Sequence, residues 1–430
     1  MAIRWAVSFV HRIGALVGLP AASHGRYNLG YHLHTVSGPR LCRLADLPSR
    51  HCGGSLVSQS AASRTTFDPE KLVRTAIHHL PLYTRDEPPV EKPARAVRLD
   101  WNESPYGPSP KAVEALAKVA THNRYPEFDA WALRDALGSY AGVAADRIVA
   151  GAGLDNVLET LMLLLIEHGD RVIISEPTFM VYQLLVRGHG GEAVNVPLDR
   201  DFQLDAQGIL DAVDDHTKLI VICNPNNPTG NLLAPEAIKR IVASAPCLVA
   251  IDEAYAEFAG TSYRDLMDEY PNLAVLRTLS KFAGLAGMRV GYGIFPESLM
   301  PYLMRVMPGF CNVSAAASAA AIAALADGDY NDATIARIVA DREMLADRLC
   351  QIPGVEPLTS ATNFLLVRLP VPDAGPVVRE LANRGVYVRH FGNPAFGIAD
   401  CLRVSIGTPE DNTIFADELE AILATEEPMA

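Results

Sequence analysis

A chain of 430 residues is long enough for two or three domains and a large buried core. Its net charge of −13 argues against nucleic acid as a main partner, because phosphate binding wants a basic face. No apolar run reaches bilayer-spanning length, and seven scattered cysteines without a Cys-x-x-Cys pair fit a reducing compartment with free thiols and no structural zinc.

Residues 1–66 differ from the rest. They hold one acid, Asp46, no lysine, and seven arginines at Arg4, Arg12, Arg26, Arg40, Arg43, Arg50 and Arg64, with a short apolar stretch at 13–22. An organelle transit peptide, a secretion signal, a disordered leader and a wrongly assigned start all fit this texture, and each puts the segment outside the fold. The expected location is the cytoplasm, or an organelle if the leader is a transit peptide.

From residue 67 the pattern becomes regular. Residues 68–79 are predicted as a helix with Asp68 as N-cap, followed by a Pro-rich connector over 81–93. The whole stretch 67–109 is expected to pack with the C-terminal part of the chain. Residues 110–120 and 128–141 read as helices. Short apolar runs follow at 147–150, 171–175, 219–223, 248–251, 274–278 and 290–294, with helices such as 155–167 and 235–244 between them. Runs apolar on both faces suit a mostly parallel sheet sandwiched by helices, an α/β domain spanning 110–313. Beyond 314 come helices at 314–327, 332–350, 377–384 and 411–424 and strands at 363–369, 386–389 and 401–406, a smaller α+β domain over 314–430.

The chain has seven lysines, and Lys281 alone follows a mostly apolar run and precedes a Gly-rich turn. A lysine there can sit in an apolar pocket, lose its proton cheaply and attack a carbonyl. Other loaded stretches also lie at predicted strand ends, where open parallel sheets bind ligands. Gly151-Ala-Gly153-Leu154-Asp155-Asn156 opens a helix and offers backbone N–H groups to an anion. Asn224-Pro-Asn-Asn227-Pro-Thr-Gly230, Asp252-Glu253-Ala-Tyr255 and Ser280-Lys281 end three further strands, with Arg289 a short turn beyond. Each alone reads as a turn, a cap or a solvated arginine. Together and in order they match the needs of pyridoxal 5′-phosphate: a lysine, a carboxylate for the pyridine nitrogen, donors for the phenolic oxygen and an anion site.

The chain resembles the fold-type I, pyridoxal-phosphate-dependent aminotransferases of class I/II from about residue 79 to 424. The resemblance implies Lys281 as Schiff base and proton shuttle, and Asp252 on the pyridine nitrogen. It implies Asn227 and Tyr255 on the phenolic oxygen, where they lower the pKa of the lysine–cofactor linkage. Ser280, Arg289, Gly153 and the amides of Leu154, Asp155 and Asn156 would hold the phosphate. Phe179, in Glu176-Pro-Thr-Phe179-x-x-Tyr182, is placed like the aromatic that stacks on the ring. Plain core packing explains it equally well.

Within that family, Asn102-Glu103-Ser-Pro105-Tyr106-Gly107, Asn123-Arg-Tyr125-Pro, Arg277 to Tyr292, Val386-Tyr-Val-Arg389-His-Phe391 and Leu402-Arg403-Val-Ser-Ile-Gly resemble the histidinol-phosphate aminotransferases. The resemblance implies Tyr125 reaching the partner subunit's cofactor in a homodimer, and Tyr83, Asn102, Arg389 and Arg403 binding substrate. Guanidinium forks suit anionic substrates, here histidinol phosphate and 2-oxoglutarate or glutamate. An aromatic amino-acid aminotransferase and a threonine-phosphate decarboxylase-like enzyme share most of these motifs. A non-catalytic cofactor-binding regulator is the rival of another class, and intact Lys281, Asp252, Tyr255 and Arg289 speak against it. Two departures stand out. Leu154 removes a hydroxyl from the anion loop, and Ser104 replaces an Asn in the opening motif.

Overall fold

The computed structural model describes residues 70, 73–78, 80–81, 96–306 and 312–425. Tyr83 lies outside them, as do residues 68, 69, 71, 72 and 79 of the helix predicted over 68–79, Asp68 included; within that stretch Thr75–His78 is helical.

Thirteen strands occur among the described residues: Val97–Arg98 (β1), Ile148–Gly151 (β2), Arg171–Ile174 (β3), Glu192–Asn195 (β4), Thr217–Cys223 (β5), Leu248–Asp252 (β6), Leu273–Thr278 (β7), Gly291–Ile294 (β8), Glu356–Pro357 (β9), Phe364–Arg368 (β10), Val386–Tyr387 (β11), Arg389–His390 (β12) and Cys401–Ser405 (β13). Seven form the main sheet, in the order β2-β8-β7-β6-β5-β3-β4. Only β8 runs antiparallel to its neighbours; the other pairings are parallel. The fold is thus the α/β, mostly parallel type that the apolar runs predict.

Alternation along the strands explains the two-sided burial. Ile220, Ile222, Val249 and Ile251 join one core, while Val221, Cys223, Ala250 and Leu276 join the other. Each fully buried aliphatic contributes about 1.5–3 kcal/mol. Helices Leu154–Leu165 and Val181–His189 cover the second face, through Leu158, Leu161, Tyr182 and Val186. The same alternation puts Asp252 on the face of Ala250, toward Tyr182.

Several boundaries differ from expectation. The edge strand β4 has no predicted counterpart: its residues are exposed or half-buried, so it carries no continuous apolar run. The helix expected over 128–141 starts at Trp131, because Ala130 adopts a left-handed conformation at φ 52°. The strand expected over 386–389 splits. β11 pairs in parallel with β1, whereas β12 pairs antiparallel with β13. The chain changes sheets at Val388.

A four-stranded antiparallel sheet, β12-β13-β10-β9, lies in the C-terminal part. The Ala-rich helix Ala315–Leu325, capped by Ser314, packs against Pro110–Lys118 and Trp131–Ala141. No helix among the described residues is long and apolar enough to cross a membrane.

Candidate active site

The chemically loaded loops meet at the carboxyl ends of β2, β5, β6 and β7, as strand-end chemistry in a parallel sheet requires. Lys281 follows β7 and its side chain is half-buried. Its Nζ donates to the Trp101 carbonyl at 3.0 Å. Loss of solvation, and then the Arg403 guanidinium, push its pKa down to about 8, while Glu103 pulls the other way.

Asp252 is the last residue of β6 and is 3% exposed. One carboxylate oxygen accepts from the Tyr182 hydroxyl at 2.5 Å, the other from the Ala254 N–H at 3.0 Å. Burial pushes its pKa up to about 6, against those two bonds. It is therefore largely ionised at neutral pH, and no cation among the described residues is bonded to it.

Asn227 and Tyr255 are buried beside it. Arg403 Nη1 donates to Asn227 Oδ1 at 2.6 Å, and Nη2 donates to the Asp100 carbonyl at 2.7 Å. Because arginine only donates, the Asn227 oxygen is committed and its amide hydrogens are free to face another acceptor. Arg403 also lies over the Phe364 and Phe391 rings, at 5.3 and 5.6 Å. The β12–β13 register sets Arg389 directly across from Arg403. Asn102 is 2% exposed, and its Nδ2 donates to the Tyr255 oxygen at 2.9 Å.

The anion loop joins β2 to helix Leu154–Leu165. Gly153 takes φ 90°, which a side chain would strain, and a Cβ there would strike the Arg289 guanidinium. A Cβ on Gly291 of β8 would overlap the Leu154 backbone nitrogen, so the loop rests directly on the sheet. Arg289 Nη2 meets Asp155 Oδ2 at 3.1 Å, and Asn156 Oδ1 accepts from the Ala152 N–H at 3.1 Å. Ser280 is buried and its Oγ accepts from the Thr278 hydroxyl at 3.0 Å. Leu154 is buried and brings no hydroxyl to the loop.

The structure therefore brings Lys281, Asp252, Asn227, Tyr255, Asn102 and Arg403 into one hydrogen-bonded and electrostatic neighbourhood. Arg289 stands at the helix N-terminus through its contact with Asp155, and Ser280 follows β7. Phe179 packs edge-on against Tyr182, with ring centroids 5.5 Å apart. Tyr125 is 85% exposed, on the stretch before Trp131.

The family model for aminotransferase class I and II matches residues 94–419. The chain belongs to this family. The aminotransferase is 44% identical over 343 residues to the histidinol-phosphate aminotransferase of Roseiflexus castenholzii, covering 78% of this chain and 91% of that one. It is 42% identical over 323 residues to the enzyme of the same name from Methanosarcina mazei, covering 75% and 86%. Among solved structures, the histidinol-phosphate aminotransferase of Sinorhizobium meliloti, in complex with pyridoxal-5′-phosphate, superposes with a TM-score of 0.73 at 29% identity, covering 86% of this chain and all of that one.

Sequence reasoning missed three contacts of the aminotransferase's site. Tyr182 was visible in the Phe179-x-x-Tyr182 spacing, but its tie to Asp252 depends on which face the helix presents. Ser405 lies two residues from Arg403 on β13, hence on the same face, and bonds Asn102. The Trp101 carbonyl is a backbone group and leaves no side-chain signal.

Proposed function

We propose that the enzyme transfers the amino group of L-histidinol phosphate to 2-oxoglutarate, yielding imidazole-acetol phosphate and L-glutamate in two ping-pong half-reactions of histidine biosynthesis. Its cofactor is pyridoxal 5′-phosphate. The observation that carries the substrate reading is the arginine pair on β12 and β13. Arg403 is held in a fork by Asn227 and the Asp100 carbonyl, and Arg389 faces it across the strand pair. A guanidinium that acts on Lys281, with a second across the strand pair, suits substrates that carry phosphate or carboxylate. The 44% identity to a histidinol-phosphate aminotransferase supports the same choice.

The residues present fit the cofactor. A buried carboxylate at pKa about 6 awaits a protonated ring nitrogen, and the glycine cradle opens the helix N-terminus to a phosphate. When bound, pyridoxal phosphate supplies an electron sink for ionising the substrate Cα–H bond. Asp252 would hold the ring nitrogen's proton. The Asn227 amide and the Tyr255 hydroxyl would donate to the phenolic oxygen. Ser280, Arg289, Gly153 and the amides of Leu154, Asp155 and Asn156 would hold the phosphate. Lys281, at pKa about 8, can take up and return a proton near neutral pH, as a general base must. Phe179 would flank the ring, and Tyr83 would touch the substrate phosphate.

A half-reaction panel tests the substrate. Histidinol phosphate, phenylalanine, tyrosine and threonine phosphate are each mixed with the cofactor-loaded enzyme, and the absorbance change is followed. Histidinol phosphate should react with the highest kcat/KM. A preference for phenylalanine by more than about tenfold, about 1.4 kcal/mol, would overturn the assignment.

The working unit we propose is a homodimer. Tyr125, Phe128 and Trp131 are 85%, 69% and 46% exposed on one stretch of a single chain, which suits a surface covered by a second copy. Mixing Lys281→Ala chains with Tyr125→Phe chains should rebuild one intact site per hybrid and restore activity. A mixture no more active than its parents speaks against a shared site.

A further inference from the structure

The segment Asp100–Trp101–Asn102 touches the site at three points, through the Asp100 carbonyl on Arg403, the Trp101 carbonyl on Lys281 and the Asn102 side chain on Tyr255. Of these, Asn102 is the most constrained. It is buried, it sits at φ 54° in the left-handed region, and its own carbonyl accepts from Asn363 Nδ2 at 3.0 Å. Its backbone N–H donates to Ser405 Oγ at 2.8 Å, and Ser405 Oγ donates back to Asn102 Oδ1 at 3.0 Å.

This closed pair sets a direction. The Asn102 N–H occupies a lone pair of Ser405 Oγ, which turns the serine proton onto Asn102 Oδ1. The other end of the amide, Nδ2, then faces Tyr255 as a donor. A Tyr255 oxygen that accepts from Asn102 must send its own proton elsewhere, and the nearby Arg403 guanidinium, itself bonded to Asn227, offers no acceptor for it. Left-handed backbone is tolerated by Asn and Asp better than by most other residues with a Cβ, so the sequence has a reason for an Asn at this position beyond contact with substrate.

We propose that Asn102 is a positioning residue that fixes the proton of Tyr255 toward the cofactor, with Ser405 holding the Asn102 amide in the required sense. The inference rests on the proposed contact between Tyr255 and the cofactor's phenolic oxygen. It assigns Asn102 a role in the reactivity of the lysine–cofactor linkage, in place of the direct substrate contact that the motif resemblance implies. It also ties that role to the strand that carries Arg403.

Asn102→Asp is the decisive variant. It keeps the shape and the tolerance of left-handed backbone but replaces the donor with an acceptor, which draws the Tyr255 proton toward residue 102. The pH midpoint of the visible absorbance of the resting holoenzyme reads the linkage directly, without turnover. Tyr255→Phe should raise that midpoint, and Asn102→Asp should raise it by roughly half a unit to one unit, the size of one hydrogen bond. Asn102→Asp added to Tyr255→Phe should add only the smaller rise that its own negative charge produces. Asn102→Gly, which also accepts the backbone conformation, should show a smaller rise of the same sign, and Ser405→Ala a smaller one again. Thermal unfolding of the cofactor-free single and double variants should give a non-additive pair at 102 and 255. An unshifted midpoint in Asn102→Asp beside a raised one in Tyr255→Phe overturns the inference alone. An equal shift with and without the Tyr255 hydroxyl overturns it too. A silent Tyr255→Phe removes the contact between Tyr255 and the cofactor, and the inference falls with it.

Discussion

Tyr182→Phe removes one oxygen atom and nothing else. Phenylalanine keeps the edge-on contact with Phe179 and the buried volume against the second core. The lost atom donates to Asp252 at 2.5 Å, and that bond holds down a carboxylate that burial has already pushed up to about 6. A hydrogen bond to a charged group contributes about 1.5–3 kcal/mol, and one pKa unit corresponds to about 1.4 kcal/mol. Asp252 in the variant should therefore titrate between about 7 and 8. The assay is calorimetric binding of pyridoxine 5′-phosphate to the cofactor-free protein from pH 5 to 9. This ligand lacks the aldehyde, so the Lys281 amine does not enter the measurement. Wild-type affinity should fall away below a midpoint near 6, and variant affinity below a midpoint one to two units higher. At pH 7 the ionised fraction of Asp252 drops from about nine-tenths to between about a half and a tenth, a loss of roughly two- to tenfold in affinity that is regained by pH 9. An unchanged midpoint refutes the reasoning. So does a loss of affinity that is uniform across pH, which would mark a packing defect.

Asp252 also has a stability consequence whose sign follows from its raised pKa. The folded group titrates near 6 and the ordinary aspartate near 3.8, so folding opposes ionisation. The cost appears as pH rises through that window and is complete above it. Cofactor-free Asp252→Asn should be more stable than wild type at pH 7.5 by up to about 3 kcal/mol, with little difference at pH 4. Thermal unfolding at the two pH values checks this, and a larger gain at pH 4 contradicts it. Gly291→Ala should displace the anion loop, because its Cβ would overlap the Leu154 nitrogen. Cofactor affinity should fall at least about tenfold (about 1.4 kcal/mol) with the far-ultraviolet spectrum retained, and near-wild-type affinity would count against the cradle.

The sheet was legible because its strands are short, β-branched and buried on both faces, and that pattern survives without any tertiary knowledge. The loops proposed to hold the cofactor stood out for a related reason: Lys281, Asp252 and Asn227 each sit within a few residues of a strand end. The polar edge strand β4 and the sheet change at Val388 were not, since both are decided by neighbours distant in sequence. The same limit applied inside the site. Tyr182 and Ser405 lie near quoted motifs, yet their partners are 70 and 303 residues away. Short-range spacing picks out candidates for the chemistry; it does not find the partners that such candidates bond across the fold.

That long reach has a consequence for how the enzyme is made. Synthesis proceeds from the N-terminus, and domains fold as units as they emerge. The main sheet, with Asp252 and Lys281 in place, is complete once β8 has left the ribosome. Asn102, made long before, still lacks the Ser405 hydroxyl, and the Asp100 carbonyl still lacks Arg403. A nascent chain that ends just past β8 thus carries Lys281 and an unfinished pocket. The pocket acquires its full set of bonds only when β13, the last strand among the described residues, arrives to join residues made 303 positions earlier.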